Sequence, residues 1–312
     1  MRLRLPVSRR SPGEGPAVTS ALVRSSIPFY GLLLLFSGAI PVLGAEAFDA
    51  ALARGAAAFE RRAVGSVDGR AAPEPIGEAV AAFESALAAD PASLEASARL
   101  MMALWFQGDY ATAGDEAKQR VFARGREVGE RALDRLAAPL GGRARLDALA
   151  PVDAARALAA QGAARPLLYW SAVHWGLWGE AYGRLAAARQ GVAGKIRWRT
   201  ETRLALDPAF ERAGASRVLG RLHARAPRIP FVTGWIDHER ALRELERAVA
   251  LAPDDTFNRL YLAEALAEYR PRDRAAQRAL LADLARRAPL PERLVEDRRN
   301  IAAARGMLDG FH

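Results

Sequence analysis

Residues 79–91 read AVAAFESALAADP, and residues 241–253 read ALRELERAVALAP. Both stretches place a small residue, a large apolar residue, a second small residue and a proline at the same offsets. The four positions are Ala79, Phe83, Ala86 and Pro91 in the first stretch and Ala241, Leu245, Ala248 and Pro253 in the second. Alanines on one helix face let a neighbouring helix approach closely, the large side chain fills the gap, and proline ends the helix. The pattern predicts a closely packed helix that recurs along the chain.

This pattern resembles the second helix of a tetratricopeptide repeat (TPR). The segments that follow the two prolines fit the same motif, because Leu94–Phe106 and Thr256–Tyr269 both carry apolar residues at helical spacing. The clearest repeats therefore lie at about residues 76–113 and 235–270. Helix pairs that are stacked side by side would bury a continuous core that no single pair can bury alone.

The sequence from residue 46 onward is rich in Ala, Leu and Arg, with apolar residues three and four positions apart. This spacing is typical of amphipathic helices, and no stretch shows the alternation of β-branched residues that a strand would need. Pro and Gly mark the breaks between helices of ordinary length. We therefore expect an all-α fold in which residues 46–312 form a single TPR-like α-solenoid of antiparallel helix pairs.

Composition excludes several classes of protein. Hydrophobic residues make up 51% of the 312 residues and charged residues 26%, which is ordinary for a globular protein. The absence of cysteine excludes disulfides, thiolate nucleophiles and thiolate metal sites, and also a lipoprotein signal, which needs a cysteine. The formal net charge is +9, part of which belongs to five arginines within residues 1–45. The remaining excess is modest, so we expect no nucleic-acid partner.

Residues 1–45 have the layout of an export signal with a polar N-terminal extension. A polar, Arg-bearing stretch at 1–26 precedes an apolar run at 27–42, and small residues at 43–45 offer a cleavage position. The apolar run is shorter than the roughly 20 residues that a membrane-spanning helix prefers, although a retained anchor is the alternative. We therefore predict a periplasmic protein that is not a lipoprotein.

Residues 167–183 hold half of the six tryptophans of the chain and read LLYWSAVHWGLWGEAYG. On a helix, Trp175, Trp178 and Tyr182 form one stripe, whereas Tyr169 and Trp170 lie on other faces. One interpretation is a bulky core helix, which the helical spacing favours. The other is the aromatic wall of a ligand cleft, because indoles are seldom completely buried and their N–H groups need partners.

The order of several segments resembles the TatT component family, which comprises TPR proteins associated with TRAP transporters. The resemblance covers roughly residues 75–290 and rests on the aromatic segment, GASRVLGRLH at 214–223, two following prolines, the repeat helix at 237–252, and NRLYLAEAL at 258–266. It implies an all-helical periplasmic protein that forms trimers and docks on the solute-binding protein of the transporter. It also implies a cavity for an apolar or organic-acid ligand. Relatives that are lipoproteins carry a cysteine, which is missing here.

Ten residues are candidates for binding a ligand or partner. They are Tyr169, Trp170, Trp175, Trp178, Tyr182, Trp105, Arg217, Arg221, Asn258 and Tyr261. Arg217 and Arg221 lie one helical turn apart and could hold a carboxylate, or form an ordinary solvated face. Asn258 is either a hydrogen-bonding group of a groove or part of a first helical turn. The aromatic residues at groove positions favour an apolar partner over an acidic peptide.

The sequence offers little for catalysis, so we predict a protein that is not an enzyme and that needs no cofactor. The four histidines lack the spacing of a helical metal site, and neither a phosphate loop nor a serine-hydrolase motif is present. We therefore expect a TRAP-transporter accessory protein. The alternatives are a cell-envelope TPR scaffold without a transporter link, or a helical hydrolase that uses His174 or His223.

Overall fold

The computed structural model describes residues 40–311, with side chains from residue 45 onward. The predicted export signal lies, up to residue 39, outside the described residues. Within them the chain is all-helical, with 14 α-helices and no β-strand, which confirms the predicted fold class. None of these helices combines the length and the apolar character that crossing a bilayer requires.

The helices follow one another with short connections. The first seven are α1 (Ile40–Glu60), α2 (Pro73–Ala89), α3 (Leu94–Phe106), α4 (Asp115–Ala137), α5 (Arg143–Asp147), α6 (Pro151–Leu158) and α7 (Ala164–Tyr182). The others are α8 (Arg184–Arg189), α9 (Val192–Leu206), α10 (Phe210–Arg225), α11 (His238–Leu251), α12 (Thr256–Tyr269), α13 (Arg274–Ala285) and α14 (Leu294–Asp309). The observed bounds of α3 and α12 coincide with the segments predicted from the sequence.

Helix starts are set by local chemistry. The Ser93 hydroxyl accepts from the Ala96 N–H at the start of α3, and the Asp255 carboxylate accepts from the Asn258 N–H at the start of α12. Such caps satisfy backbone N–H groups that a helix otherwise leaves unpaired. Pro73 and Pro151 occupy the first turns of α2 and α6, where a missing N–H breaks no helical hydrogen bond.

The repeat positions are buried as predicted. Phe83 of α2 and Leu245 of α11 are completely buried, together with the alanines of their repeats. In both cases the large side chain packs against a glycine of the preceding long helix, Gly55 of α1 for Phe83 and Gly220 of α10 for Leu245. A Cβ atom at either glycine would lie 2.5–2.6 Å from that side chain. The two repeats thus share the same close helix–helix contact.

The helix array closes on itself. Most long helices pack on the one that follows, and residues of the last, α14, contact the segments that follow α1 and α3. Arg62, just after α1, donates to the Glu296 carboxylate of α14 at 3.1 Å, and Arg299 of α14 donates to Asp109 at 2.8 Å. Gly69 lies so close to α14 that a Cβ there would be 3.0 Å from the Arg299 backbone. We call this contact the closure.

Near the start of α10, three consecutive residues adopt left-handed backbone angles although none of them is glycine. Glu211, Arg212 and Ala213 have φ of 51°, 55° and 61°. Each such residue costs about 1–2 kcal/mol, so surrounding contacts must hold this turn in place. Gly214 follows it with its Cα directly against the Tyr169 ring, where a Cβ would lie 2.5 Å from the ring.

Candidate functional site

A cavity of about 1060 Å³ lies inside the closed helix array. This is the upper end of the size that small-molecule sites usually have. Its wall is made mainly by α7 and α10, with further residues from α3, α9, α12 and the segment around α14. Six of the ten predicted binding residues line it. They are Trp105, Tyr169, Trp170, Arg217, Arg221 and Tyr261.

Aromatic side chains form one continuous part of this wall. The ring centroids of Trp105 and Trp170 are 5.2 Å apart, and those of Trp170 and Tyr169 are 4.8 Å apart. Phe257 and Tyr261 of α12 also line the cavity, and their ring centroids are 5.7 Å apart. Aromatic clusters of this kind offer large apolar contact area at a small loss of side-chain freedom.

The stripe of Trp175, Trp178 and Tyr182 does not line the cavity, which corrects its interpretation as a cleft wall. Trp175 and Trp178 are buried on another face of α7, in the cluster that also contains Val192 and Ile196 of α9. Tyr182 is partly exposed and stacks on Trp178 with ring centroids 4.6 Å apart. The core interpretation therefore applies to both tryptophans of the stripe.

The Trp175 indole is held by charges from two neighbouring helices. Its Nε1 donates to the Glu130 carboxylate of α4 at 2.7 Å, and the Lys195 ammonium of α9 lies 3.9 Å from the ring centroid. Arg199, also of α9, donates to the same Glu130 at 2.6 Å. These contacts satisfy the indole N–H within the core and lower the pKa of Glu130, against the opposing effect of its burial.

Arg217 belongs to the wall but is held by the protein itself. Its guanidinium donates to Tyr169 Oη at 2.8 Å, to Asn258 Oδ1 at 3.0 Å and to Asp255 Oδ1 at 3.3 Å. Asn258 is completely buried and also donates to the Arg212 carbonyl of the left-handed turn at 3.1 Å. Asn258 is therefore a structural residue and does not belong to the cavity wall.

Arg221 likewise has an internal carboxylate partner. It pairs with Glu264 of α12, and its guanidinium lies 4.3 Å from the centroid of the Tyr261 ring. The predicted clamp, in which Arg217 and Arg221 would together hold a free carboxylate, is therefore corrected. Both arginines contribute to the cavity wall, but each is already paired with an acid of the chain.

Asp255 is the centre of this network and was missed by the sequence analysis. Its side chain is completely buried, and the guanidinium groups of Arg293, Arg217 and Arg212 lie 2.9, 3.3 and 3.4 Å from its oxygens. In the sequence, Asp255 is only an aspartate that precedes a predicted helix, which is typical of an ordinary N-cap. Its three partners lie in α10 and before α14, and nothing in the local pattern connects them.

The charges around the cavity nearly balance. The lining carries seven arginines and six acidic side chains. Burial raises the pKa of Glu211, one of these acids, against the opposing effect of Arg217. A ligand would therefore meet polar groups of both signs at the edges of an aromatic surface, with little net field.

The two histidines of the hydrolase alternative do not converge on the cavity. His174 is buried between α3, α4 and α7, and its Nε2 donates to the Met101 carbonyl at 2.8 Å. His223 Nδ1 accepts from the Asp237 backbone N–H at 3.0 Å. In the described part of the chain neither imidazole is hydrogen-bonded to a carboxylate, so the acid–base pair that this alternative requires is not assembled.

His174 predicts a specific dependence of stability on pH. Burial lowers the pKa of His174 from 6.5 to about 4. The unfolded chain therefore binds a proton below about pH 6.5 that the folded chain does not bind until about pH 4. We expect the unfolding free energy to fall as pH falls from 6.5 to 4, by roughly 3 kcal/mol for this group.

Urea unfolding at several pH values measures this effect. His174→Gln keeps a donor for the Met101 carbonyl but does not titrate, so its stability should depend less steeply on pH than that of the parent. His238→Gln is the matched control, because His238 is exposed at the surface. An unchanged slope in His174→Gln would contradict the assignment of the pH dependence to this buried imidazole.

The fold and the cavity define a class: an all-helical protein with a cavity whose wall is of mixed aromatic and ionic character. In residues 45–311 no group of three or more His, Asp or Glu side chains is arranged to hold a metal ion. No protein-family model matches the sequence, and no curated protein matches it either.

Proposed function

We propose that the protein is an exported, TPR-like accessory protein of a TRAP transporter. In this proposal it holds a small apolar or organic-acid ligand in the central cavity, docks on the periplasmic solute-binding protein, and assembles as a homo-oligomer, a trimer by family resemblance. The observation that carries the binding role is the cavity of about 1060 Å³ with its aromatic wall. No bond of the ligand is made or broken.

The TPR-like character of the array is supported by the equivalence of its two clearest repeats. Phe83 and Leu245 occupy the same position within their repeats, and both are completely buried. Each contacts a glycine of the preceding long helix. α3 and α12 then follow a proline-marked turn in the same way. Repeats that share a neighbour contact are the unit from which stacked helical arrays are built.

The lining favours a ligand with an apolar body and at most one negative charge. Burial of apolar surface against Trp105, Trp170 and Tyr261 supplies about 25 cal/mol for each Å² removed from water. Because Arg217 and Arg221 already have carboxylate partners, they offer only their remaining donor capacity to an anion. A polyanion would exceed the small positive excess of the wall, whose seven arginines face six acidic side chains, and desolvating unpaired charges is expensive.

The link to a TRAP transporter rests on the resemblance over residues 75–290. A generic scaffold of the cell envelope would share the helical array and would have no preference for a transporter receptor. A gene for a TRAP solute-binding protein or permease next to the gene of this chain supports the transporter link.

Direct binding to a solute-binding protein tests the proposal. The full chain, purified from its producing cells, is mixed with the TRAP solute-binding protein of the same organism and analysed by size-exclusion chromatography. We expect co-elution, and none with an unrelated periplasmic sugar-binding protein as the control receptor. Separate elution of this chain from every TRAP receptor of the organism would reject the transporter link and favour the generic scaffold.

A further inference from the structure

Exposed apolar side chains are concentrated in two segments that both border the cavity. Of the nine large apolar side chains that the described residues expose, five lie in the segments 182–185 and 229–232. They are Tyr182, Leu185, Ile229, Phe231 and Val232. Phe231 is as exposed as a phenylalanine in an extended peptide. Such a concentration on the surface marks an interaction site.

Both segments and the residues next to them border the cavity. Arg184 of the first segment and the nearby Ala187 line the cavity, as do Ile229 and Val232 of the second segment. Ala187 and Ala226 pack around one buried cluster between α7, α9 and α10. We call the surface formed by residues 181–195 and 224–236 the apolar tip.

The turn that carries Phe231 is ordered by its own hydrogen bonds. The Thr233 hydroxyl donates to the Pro227 carbonyl at 2.6 Å and accepts from the Ile229 N–H at 2.9 Å. Phe231 itself has a φ of 62°, a conformation that a bulky residue rarely adopts. The turn therefore exposes a large apolar ring to water and places Phe231 in an unfavourable backbone conformation. This combination indicates that the ring contacts something outside the folded core.

The two segments of the apolar tip also carry only positive charges, and one exposed acid borders each segment. Its two segments contain five basic residues and no acid, and the nearest acids along the chain are Glu180 and Asp237. The basic residues are Arg184, Arg189, Lys195, Arg225 and Arg228. The four arginines are exposed, and none of them pairs with an acid in the part of the chain that the structure describes.

We propose that the apolar tip binds an anionic lipid bilayer, with Phe231 and Leu185 entering the headgroup region and the arginines meeting lipid phosphates. Exposed apolar side chains beside unpaired cations are the chemistry of a membrane-surface site. The tip has no carboxylate of its own and its Thr233 is bonded internally, so its exposed charges are positive and complement an anionic surface. The proposed function includes no contact with a membrane, so lipid binding by the tip goes beyond it.

Vesicle binding tests the proposal with the full chain purified from its producing cells. We expect sedimentation with vesicles of phosphatidylcholine and phosphatidylglycerol, weaker binding to pure phosphatidylcholine, and a loss of the difference in high salt. Arg225→Gln with Arg228→Gln should weaken binding to anionic vesicles roughly 30-fold. Phe231→Ser should weaken binding on the order of tenfold, while circular dichroism stays unchanged because the ring has no role in the core.

Matched variants elsewhere on the surface separate the tip from general effects. Val152→Ser removes an exposed apolar residue of α6, and Arg54→Gln with Arg247→Gln removes two exposed, unpaired charges. All three changes should leave vesicle binding as it is in the parent. In Phe231→Trp the emission should shift to the blue on anionic vesicles, and in Val152→Trp it should not.

Absence of binding of the parent to anionic vesicles overturns the proposal by itself, and two further results would also overturn it. The first is equal binding of the parent and of Phe231→Ser to anionic vesicles. The second is a loss of co-elution with the solute-binding protein in Phe231→Ser without any vesicle binding by the parent, which would make the tip a protein interface. A failure of vesicle binding leaves the receptor experiment of the proposed function unaffected.

Discussion

Asp255→Asn is expected to lower the free energy of unfolding by about 3–5 kcal/mol, the usual result of breaking a buried ionic network from one side. The Asp255 carboxylate is completely buried and faces the guanidinium groups of Arg212, Arg217 and Arg293 within 3.4 Å. Removal of its charge leaves three cations around a neutral amide, two of them mostly buried. The asparagine keeps an oxygen for the Asn258 N–H, so the loss measures the charge and not the helix cap.

The matched control for this change is Asp237→Asn. Asp237 caps α11 as Asp255 caps α12, but its side chain is half exposed and pairs only with Arg243. We expect the control to lose less than about 1 kcal/mol, because exposed ion pairs contribute little. Urea unfolding followed by circular dichroism gives both values, and equal losses in the two variants would show that Asp255 acts only as a cap.

The large effect expected for Asp255 also has a structural cause near the cavity. Arg212 and Arg217 connect Asp255 to the left-handed turn at Glu211–Ala213, whose backbone is unfavourable without support. If the network is released, the turn can relax, and Arg217 loses one of the contacts that hold it beside Tyr169. Asp255→Asn should therefore weaken ligand binding as well as stability.

Gly176→Trp is expected to reduce binding of an aromatic anion to the cavity at least tenfold without unfolding the protein. Gly176 lies on α7 at the cavity wall, and a Cβ there would meet only the Ile196 side chain, at an ordinary 3.8 Å. The backbone thus accepts a side chain, and the indole occupies space that the ligand would use. Filling the site removes apolar contact area, which is the main source of the expected affinity.

The probe for this experiment is anilinonaphthalenesulfonate, whose fluorescence rises when it enters an apolar site. Gly77→Trp is the matched control, because Gly77 is a glycine of α2 with open space around it and lies outside the cavity. Both variants keep the apolar tip, so a difference between them reports the cavity alone. Equal affinities for the probe would mean that the cavity is not where it binds.

The local part of the fold was predictable from the sequence because its signals are local. Pro91 and Pro253 end the two repeat helices, and caps at Ser93 and Asp255 start the next ones, so the bounds of α3 and α12 follow from neighbouring residues. The left-handed turn at Glu211–Ala213 was not predictable, because it contains no glycine and is held by residues far along the chain.

The sequence predicted cavity residues only through their residue type, because large aromatic side chains are typical of ligand sites. Trp105 and Trp170 are large and apolar, and the structure places both on the cavity wall. Trp175 has the same chemistry but faces α4 and α9, because Glu130 offers its indole a partner there. Which face of α7 lines the cavity depends on how the other helices pack around it. The spacing of the tryptophans does not predict that packing.

The closure has a consequence for how the protein can change over evolutionary time. An open array of repeats can gain or lose a unit at small cost, because only neighbouring units touch. Here Arg62 and Gly69 contact α14. An added or deleted helix pair would shift the two ends of the array relative to each other and break these contacts. We therefore expect relatives to vary in their outer loops while the number of pairs in the ring stays constant.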